Sequence, residues 1–514
     1  MQGSKRGNTE PITNTGTITL RSDQKKDSDS LVSAFKSGAP EVLVASKTGT
    51  GKTFTSLTTA MRLPDSGRIL VVCPKSAIPT WEEAIKAVGD QDKRFCIINY
   101  EQIGKLLKPA NAKASPKRKT KKGRSNQKRK ERIEHAKTGI PFVAWDVVIF
   151  DEAHYLGNPE SQRSLAADRL VSFLEVPAIY VSATIAKDPM STGLLSRGIL
   201  WRLGKKVPKK RLSGTAWIDL CKKLGFKFNS TRWGDKWEPN DHDLKTVNNL
   251  LFQGETTWAV RTDPGWDVPP RYQVPIEMTA EENALYEKSW QEFNALRKSL
   301  KKLKASGASG AEVQKANQNG LAAQIRYRQK AGILKAPYVA DMVKDLLEGD
   351  VQVAVSCEFK ETVLALMESL GGESKVALFT GFNEAEREQE RLAFQRGQKR
   401  VILFTPSESF NLHQNDASVN GTSTPRVQIC AEPSWRSLQG LQKEGRTSRN
   451  GEIAPVLYPS AVKTTDYKII KSLMQGYENI RVMMGDNEKK VSAQKLDRED
   501  VTRLHGEEDD ASRD

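Results

Sequence analysis

Residues 45–53 read Ala45-Ser46-Lys47-Thr48-Gly49-Thr50-Gly51-Lys52-Thr53, and the apolar run Val42-Leu43-Val44 leads into them. An apolar strand that breaks into a glycine-bearing turn ending in Gly-Lys-Thr has nearly the spacing of a phosphate-binding loop; Ser46 stands where the first glycine of G-x-x-x-x-G-K-[ST] falls. In such a loop the backbone amides of Thr48, Gly49, Thr50, Gly51 and Thr53 line phosphate oxygens at a helix N-terminus. Lys52 then carries its ammonium to the β- and γ-phosphates, and the Thr53 hydroxyl ligates Mg²⁺. An ordinary strand-to-helix turn can have the same composition, so the loop needs a second element.

That element is Val147-Val148-Ile149-Phe150-Asp151-Glu152-Ala153-His154. An apolar strand delivers two carboxylates to its C-terminal end, where open α/β sheets bind their ligands. Asp151 can hold the shell of a magnesium ion, and Glu152 can orient and deprotonate an attacking water. Adjacent side chains on a strand point to opposite faces, so the two carboxylates converge only if the chain turns at this place. Loop and carboxylate pair together specify hydrolysis of a nucleotide held with Mg²⁺.

Around these motifs short apolar runs alternate with longer amphipathic segments, the pattern of a parallel sheet flanked by helices. Strands are expected at 41–45, 68–73, 95–98, 146–150 and 178–182. Residues 200–260, rich in Trp, Gly, Asn and basic residues, read as an irregular insertion. Helices are expected at 279–304 and 310–348, and a second alternating block follows, with strands at 351–356, 376–380, 401–405 and 427–431. The fold class is therefore α/β, two tandem parallel-sheet lobes with helical insertions. Boundaries fall at 1–16 (a disordered N-terminus), 17–265, 266–485 and 486–514 (a highly charged tail, frayed or disordered).

The chain has 514 residues, 38% hydrophobic and 28% charged, which suits a globular protein with solvated insertions. Its longest apolar runs are strand-sized, too short to cross a membrane. The N-terminus lacks a signal-peptide core. Five scattered cysteines without a C-x-x-C pair, and five dispersed histidines, argue against a zinc site and for a reducing, intracellular compartment, cytoplasmic or nuclear. Residues 113–137 hold 12 Lys/Arg and 2 Asp/Glu, so this part of the basic insertion at 108–138 supplies +10 of the net charge of +17. Such a stretch suits a nucleic-acid backbone, a nuclear-targeting patch or a solvated loop, and without aromatics it cannot stack on bases.

Read together, these stretches resemble superfamily-2 helicases, and further ones resemble the Swi2/Snf2-like branch with its DEAH-type carboxylate motif. The resemblance implies two RecA-like lobes over about residues 18–485. Leu20-Arg21-Ser22-Asp23-Gln24 is similar to the segment whose glutamine, here Gln24, reads adenine. Val71-Val72-Cys73-Pro74-Lys75-Ser76, followed by Trp81, resembles a segment that touches nucleic-acid backbone through Pro74 and Lys75. Ser182-Ala183-Thr184 matches the motif that couples hydrolysis to the track. In the second lobe Thr380-Gly381, with Arg387 and Phe394, and Asn411-Leu412 match further nucleic-acid and coupling motifs. Gln442-Lys443-Glu444-Gly445-Arg446-Thr447-Ser448-Arg449 fits Q-x-x-G-R-x-x-R. By resemblance Gln442, Arg446 and Arg449 face the nucleotide, where guanidinium groups stabilise charge on the γ-phosphoryl oxygens.

The pattern has departures. Ser46-Lys47-Thr48 replaces the branch's Asp-Glu-Met, Ile185 replaces a proline, and residues 405–412 lack glycines that would let backbone approach nucleic acid. Glu358-Phe359-Lys360 fits a nuclease E-x-K, but its position after a strand favours a structural role. The tryptophans from Trp201 to Trp266 are read as packing. The function expected is an ATP-dependent DNA motor, a translocase or an annealing or branch-remodelling helicase; the segment from Arg328-Gln329-Lys330 to Lys335 looks most like the annealing type. Alternatives are a strand-separating helicase on RNA or DNA, the motor subunit of a nuclease complex, and a non-hydrolysing nucleic-acid scaffold. Duplex or branched DNA is the favoured partner, a monomer is compatible with the motifs, and the compact size suits a phage or virus.

Overall fold

The computed structural model describes residues 19–47, 49–64, 66–89, 94–108, 131–231, 234–306, 310–372, 374–405, 410–449, 451–462, 464–486, 491–497 and 500–501. Thr48, the N-terminal 16 residues and most of the basic insertion lie outside them. The chain divides into two compact units: residues 1–264 with 482–486, and residues 265–481 with 487–514.

The first unit is built on a sheet of six parallel strands. In chain order they are β1 (Glu41–Val44), β2 (Arg68–Cys73), β3 (Arg94–Asn99), β6 (Val147–Asp151), β7 (Ala178–Val181) and β10 (Ala259–Val260); two small antiparallel pairs join β4 (Leu107–Lys108) with β5 (Ile140–Pro141), and β8 (Phe228–Thr231) with β9 (Gly234–Trp237). The spatial order is β10-β1-β7-β6-β2-β3. Strands β1 and β7 are buried along their whole length, as an all-parallel sheet covered on both faces requires. Because the strands are parallel, their C-terminal ends share one edge. Asp151, at the end of β6, lies two strands from the loop after β1, about 10 Å at normal strand spacing.

The second unit holds seven parallel strands: β11 (Arg271–Ile276), β12 (Gln352–Ser356), β13 (Val376–Phe379), β14 (Val401–Phe404), β15 (Arg426–Cys430), β16 (Val456–Ala461) and β17 (Gln494–Lys495). Their order is β13-β14-β12-β15-β16-β11-β17. Val353, Val355, Leu403, Val427 and Ile429 pack under Val339, Val343 and Leu366 of the covering helices. The fold is thus two parallel-sheet units with helical insertions, as expected from the alternating pattern.

Two expectations need correction. Residues 200–260 are not irregular: they carry helices Gly214–Lys223 and Asp241–Phe252 and the β8–β9 hairpin. Composition misled because Trp217, Trp237 and Trp258 are core residues with satisfied indoles. Trp217 donates to the Pro189 carbonyl at 3.2 Å, Trp237 to Asp243 at 2.8 Å and Trp258 to the Leu250 carbonyl at 3.1 Å. The tail is not wholly frayed either, since Gln494 and Lys495 form the edge strand β17, which pairs with Tyr272 and Gln273 of β11. Glu358 has the structural place its position suggested: it is buried against Lys443 and lies 3.6 Å from Arg328. Burial opposes its charge, but the Lys443 ammonium, followed by Arg328, holds its carboxyl below the ordinary value.

Candidate active site

The glycines of the loop have a steric reason. Gly49 and Gly51 sit at φ +85° and +80°, a region costly for residues with a Cβ. At Gly51 a Cβ would also lie 2.0 Å from Gln24 Nε2. Helix α2 (Lys52–Met61), the next after α1 (Ser22–Lys36), starts there, with Gly51 as its N-cap and no side-chain cap. A helix N-terminus without a side-chain cap is a place where anions bind. Thr50 Oγ1 donates to the Lys47 carbonyl at 2.7 Å and Lys52 Nζ donates to the same carbonyl at 3.1 Å. Gln24 donates to the Thr50 carbonyl at 3.3 Å and accepts from the Arg21 N–H at 3.0 Å, so its amide braces the loop. Ser46 serves differently from a glycine: its buried hydroxyl accepts from the Thr262 N–H at 2.9 Å, tying the loop to the chain after β10.

At the end of β6 the chain turns as the carboxylate argument requires. Glu152 takes φ 48° and ψ 50°, left-handed for a non-glycine residue, a strain of roughly 1–3 kcal/mol that clusters at functional sites. The turn places Glu152 Oε2 3.1 Å from His154 Nδ1 and 3.3 Å from Ser182 Oγ, which donates to it. His154 Nδ1 is also 3.2 Å from Ser182 Oγ. Ser182 follows β7 and donates its N–H to the Val44 carbonyl at 3.0 Å. The Asp-Glu-Ala-His stretch, Ser182 and the strand bearing the loop therefore form one connected group. Ala183 and Thr184 are half-buried beyond it, and Ile185 fills the core where a proline was expected.

Asp151 is held from two sides. Its Oδ2 accepts from Trp81 Nε1 at 2.8 Å and its Oδ1 from the Glu152 N–H at 2.9 Å. The Tyr100 hydroxyl donates to the Asp151 carbonyl at 2.6 Å. Burial, and next the nearby Glu152 charge, push the Asp151 carboxyl up to about 6, while the Trp81 hydrogen bond and the Lys52 charge act the other way. A buried carboxylate beside another carboxylate is a site that a cation relieves. Among the described residues no three His, Cys, Asp or Glu side chains cluster as a metal site. A magnesium ion here would draw on Asp151, Thr53 and phosphate oxygens, which suits its preference for few protein ligands. Loop, helix N-terminus and carboxylate pair fit a Mg²⁺-bound nucleoside triphosphate.

Trp81 and Tyr100 are the supports that motif reading did not assign. They lie 70 and 51 residues before Asp151, and no local pattern links them to it. Pro74 precedes a 3-10 turn, Lys75–Ala77, that leads into α3 (Ile78–Val88), the helix carrying Trp81; Lys75 is exposed there.

In the second unit, Thr380 donates its N–H and hydroxyl to Asn383 Oδ1 at 2.9 and 2.8 Å. Gly381 is exposed with nothing within 4 Å of a Cβ, so packing does not demand a glycine. Arg449 donates to Asn411 Oδ1, and Arg446 donates to the Phe410 carbonyl at 3.1 Å with its guanidinium 5.1 Å from the Phe410 ring centroid. Gln442 is half-buried on helix Ser437–Glu444. The structure thus joins the Q-x-x-G-R-x-x-R segment to Asn411.

Residues 17–187, the segment bearing the loop and both carboxylates, match the family described as the res subunit of type III restriction enzymes, ResIII. A protein of Acanthamoeba polyphaga mimivirus, provisionally named an ATP-dependent RNA helicase, is 23% identical over 437 residues, 81% of this chain and 74% of that protein. Among solved structures, S. cerevisiae Dbp5 bound to RNA and ADP BeF3 is similar with a TM-score of 0.45 and 11% identity, covering 94% of this chain and 91% of that one. The Sulfolobus solfataricus SWI2/SNF2 ATPase core in complex with double-stranded DNA gives 0.34 and 14%, covering 94% and 99%. No helix among the described residues is long and apolar enough to cross a membrane.

Proposed function

We propose that this chain is an ATP-dependent nucleic-acid motor whose track is DNA, a translocase or an annealing or branch-remodelling helicase of Swi2/Snf2-like type. The observation that carries the reading is the convergence, at one edge of the first sheet, of the Gly51-Lys52-Thr53 loop, the Asp151-Glu152 turn and Ser182. Lys52 and the loop amides, Thr48 among them, hold the triphosphate; Thr53 and Asp151 hold Mg²⁺, which supplies charge neutralisation when bound. Glu152 takes the proton of the attacking water, and its contacts with His154 and Ser182 fix the carboxylate for that task. Arg446 and Arg449, with Gln442, stabilise the charge that develops on the γ-phosphoryl group. Gln24 contacts the adenine, and Pro74, Lys75, Thr184, Thr380, Gly381 and Asn411 serve the track and its coupling to hydrolysis. An intact Glu152 argues against a scaffold that binds nucleotide without hydrolysing it.

The name of the mimivirus relative favours a second reading, a strand-separating RNA helicase. ATP turnover measured in parallel without nucleic acid and with single-stranded DNA, duplex DNA, forked DNA and RNA separates the two. Duplex or forked DNA should stimulate most. Stronger stimulation by RNA reassigns the track, and turnover indifferent to every nucleic acid removes the motor.

A further inference from the structure

Helices Ala280–Ala305 and Gly310–Leu347 of the second unit form an antiparallel hairpin. They are locked near its base, where Tyr327 packs against Tyr286, Trp290 and Phe293. Charge along the first helix is uneven: Glu281, Glu282, Glu287 and Glu292, with Lys288 among them, come before Arg297, Lys298, Lys301, Lys302 and Lys304. Between Glu292 and Asp341 the chain has ten basic residues and one acidic residue, Glu312.

Arg297, Lys298, Lys301 and Lys302 are exposed, and none has an ion pair among the described residues. At the base two of the basic side chains behave otherwise, while Lys288, Arg326 and Lys330 are exposed as the distal four are. Lys335 pairs with Asp466 at 2.8 Å and Arg328 with Glu358 at 3.6 Å. The distal four stand at i, i+1, i+4 and i+5, which puts them on one helix face. Arg297 with Lys301 and Lys298 with Lys302 are like-charge i,i+4 pairs, each of which weakens the helix. Attraction to the helix dipole explains cations in the last turn only, and Arg297 and Lys298 precede it.

We propose that this distal face is a phosphodiester-contact surface, separate from the motifs of either sheet, that holds the nucleic-acid backbone without reading its bases. The proposal rests on the nucleic-acid reading of the preceding subsection. Four point charges at helical spacing suit a row of phosphates, whose neutralisation releases counterions and shows as salt dependence.

The test compares the wild type with the quadruple variant Arg297→Gln, Lys298→Gln, Lys301→Gln, Lys302→Gln, using anisotropy of fluorescein-labelled duplex DNA and duplex RNA of one sequence over a salt series. The slope of log affinity against log salt should flatten by about 0.9 for each phosphate no longer neutralised, up to about 3.6 in all. The double variant Lys298→Gln, Lys302→Gln should flatten it by about half as much, and because it relieves a like-charge pair it should keep the helix. ATP turnover without nucleic acid should match the wild type. The probe whose slope changes more identifies the track. Equal slopes in wild type and variants overturn the proposal and leave an acidic protein surface as the partner to test. Absence of salt-dependent binding by the wild type itself would instead refute the motor reading.

Discussion

Glu41 begins the strand that carries the phosphate loop, and it is fully buried. One carboxylate oxygen accepts from the Gly198 N–H at 2.8 Å, and the other, Oε2, has no hydrogen-bond partner among the described residues. Burial raises its carboxyl from 4.5 to about 7, against the partial relief of the Arg197 charge. The folded state thus binds this proton more tightly than the unfolded state. Its contribution is fully present below about pH 4.5, declines through the window between 4.5 and about 7, and is lost above it. A gap of roughly 2.5 pKa units corresponds to about 3 kcal/mol. Glu41→Gln keeps the shape and an acceptor for Gly198 but cannot titrate, so the variant should gain on the wild type by about that amount as pH rises from about 5 to about 8. Thermal unfolding of both proteins across this range is the assay; about 3 kcal/mol should move the midpoint difference by about 5–10 °C for a unit of this size. Parallel midpoint curves would refute the assignment of a buried Glu41 whose carboxyl stays protonated up to about pH 7.

Three further outcomes follow from the site. Lys52→Ala should weaken nucleotide binding at least tenfold, followed with a fluorescent ADP analogue, because it removes the ammonium at the loop; unchanged affinity would displace Lys52 from the phosphates. Arg449→Ala should leave ATP affinity within a few-fold while lowering kcat on the order of 10³-fold, as losing a comparable arginine does in related phosphoryl transfer; a raised KM with unchanged kcat would make it a binding contact. Because the Asp151 carboxyl stands near 6, protons should compete with Mg²⁺ below that value. Mg²⁺-dependent binding of the same analogue should weaken by about tenfold per pH unit there, and binding indifferent to pH would remove Asp151 from the metal site.

The parts of the site legible in the sequence were those confined to a few consecutive residues. Gly51-Lys52-Thr53 and Asp151-Glu152 announce themselves because backbone approach and strand-end carboxylates need particular residues in a row. Even the turn at Glu152 could be expected, since two adjacent strand side chains cannot otherwise converge. Trp81 and Tyr100 could not, because their hydrogen bonds to Asp151 close only when β2, β3 and β6 come together. Strand β16 was hidden by its prolines. Pro455 and Pro459 flank and interrupt Val456-Leu457-Tyr458, a pattern that ordinarily argues against an interior strand. It is tolerated because pairing with β15 involves only Val456 and Leu457, and Pro459 lies beyond that register. In the 200–260 stretch, composition concealed helices whose stability comes from buried tryptophans rather than from local propensity.

The central claim is that Glu152 drives ATP hydrolysis when the chain engages nucleic acid, and one comparison tests it most directly. Steady-state ATP turnover of wild type and Glu152→Gln should be measured with and without saturating duplex DNA, alongside nucleotide binding by both proteins. The account predicts stimulation by DNA in the wild type, and in Glu152→Gln retained binding with at least about a hundredfold lower turnover, the usual reach of a general base. Turnover at the wild-type rate in the variant, with or without DNA, would contradict it.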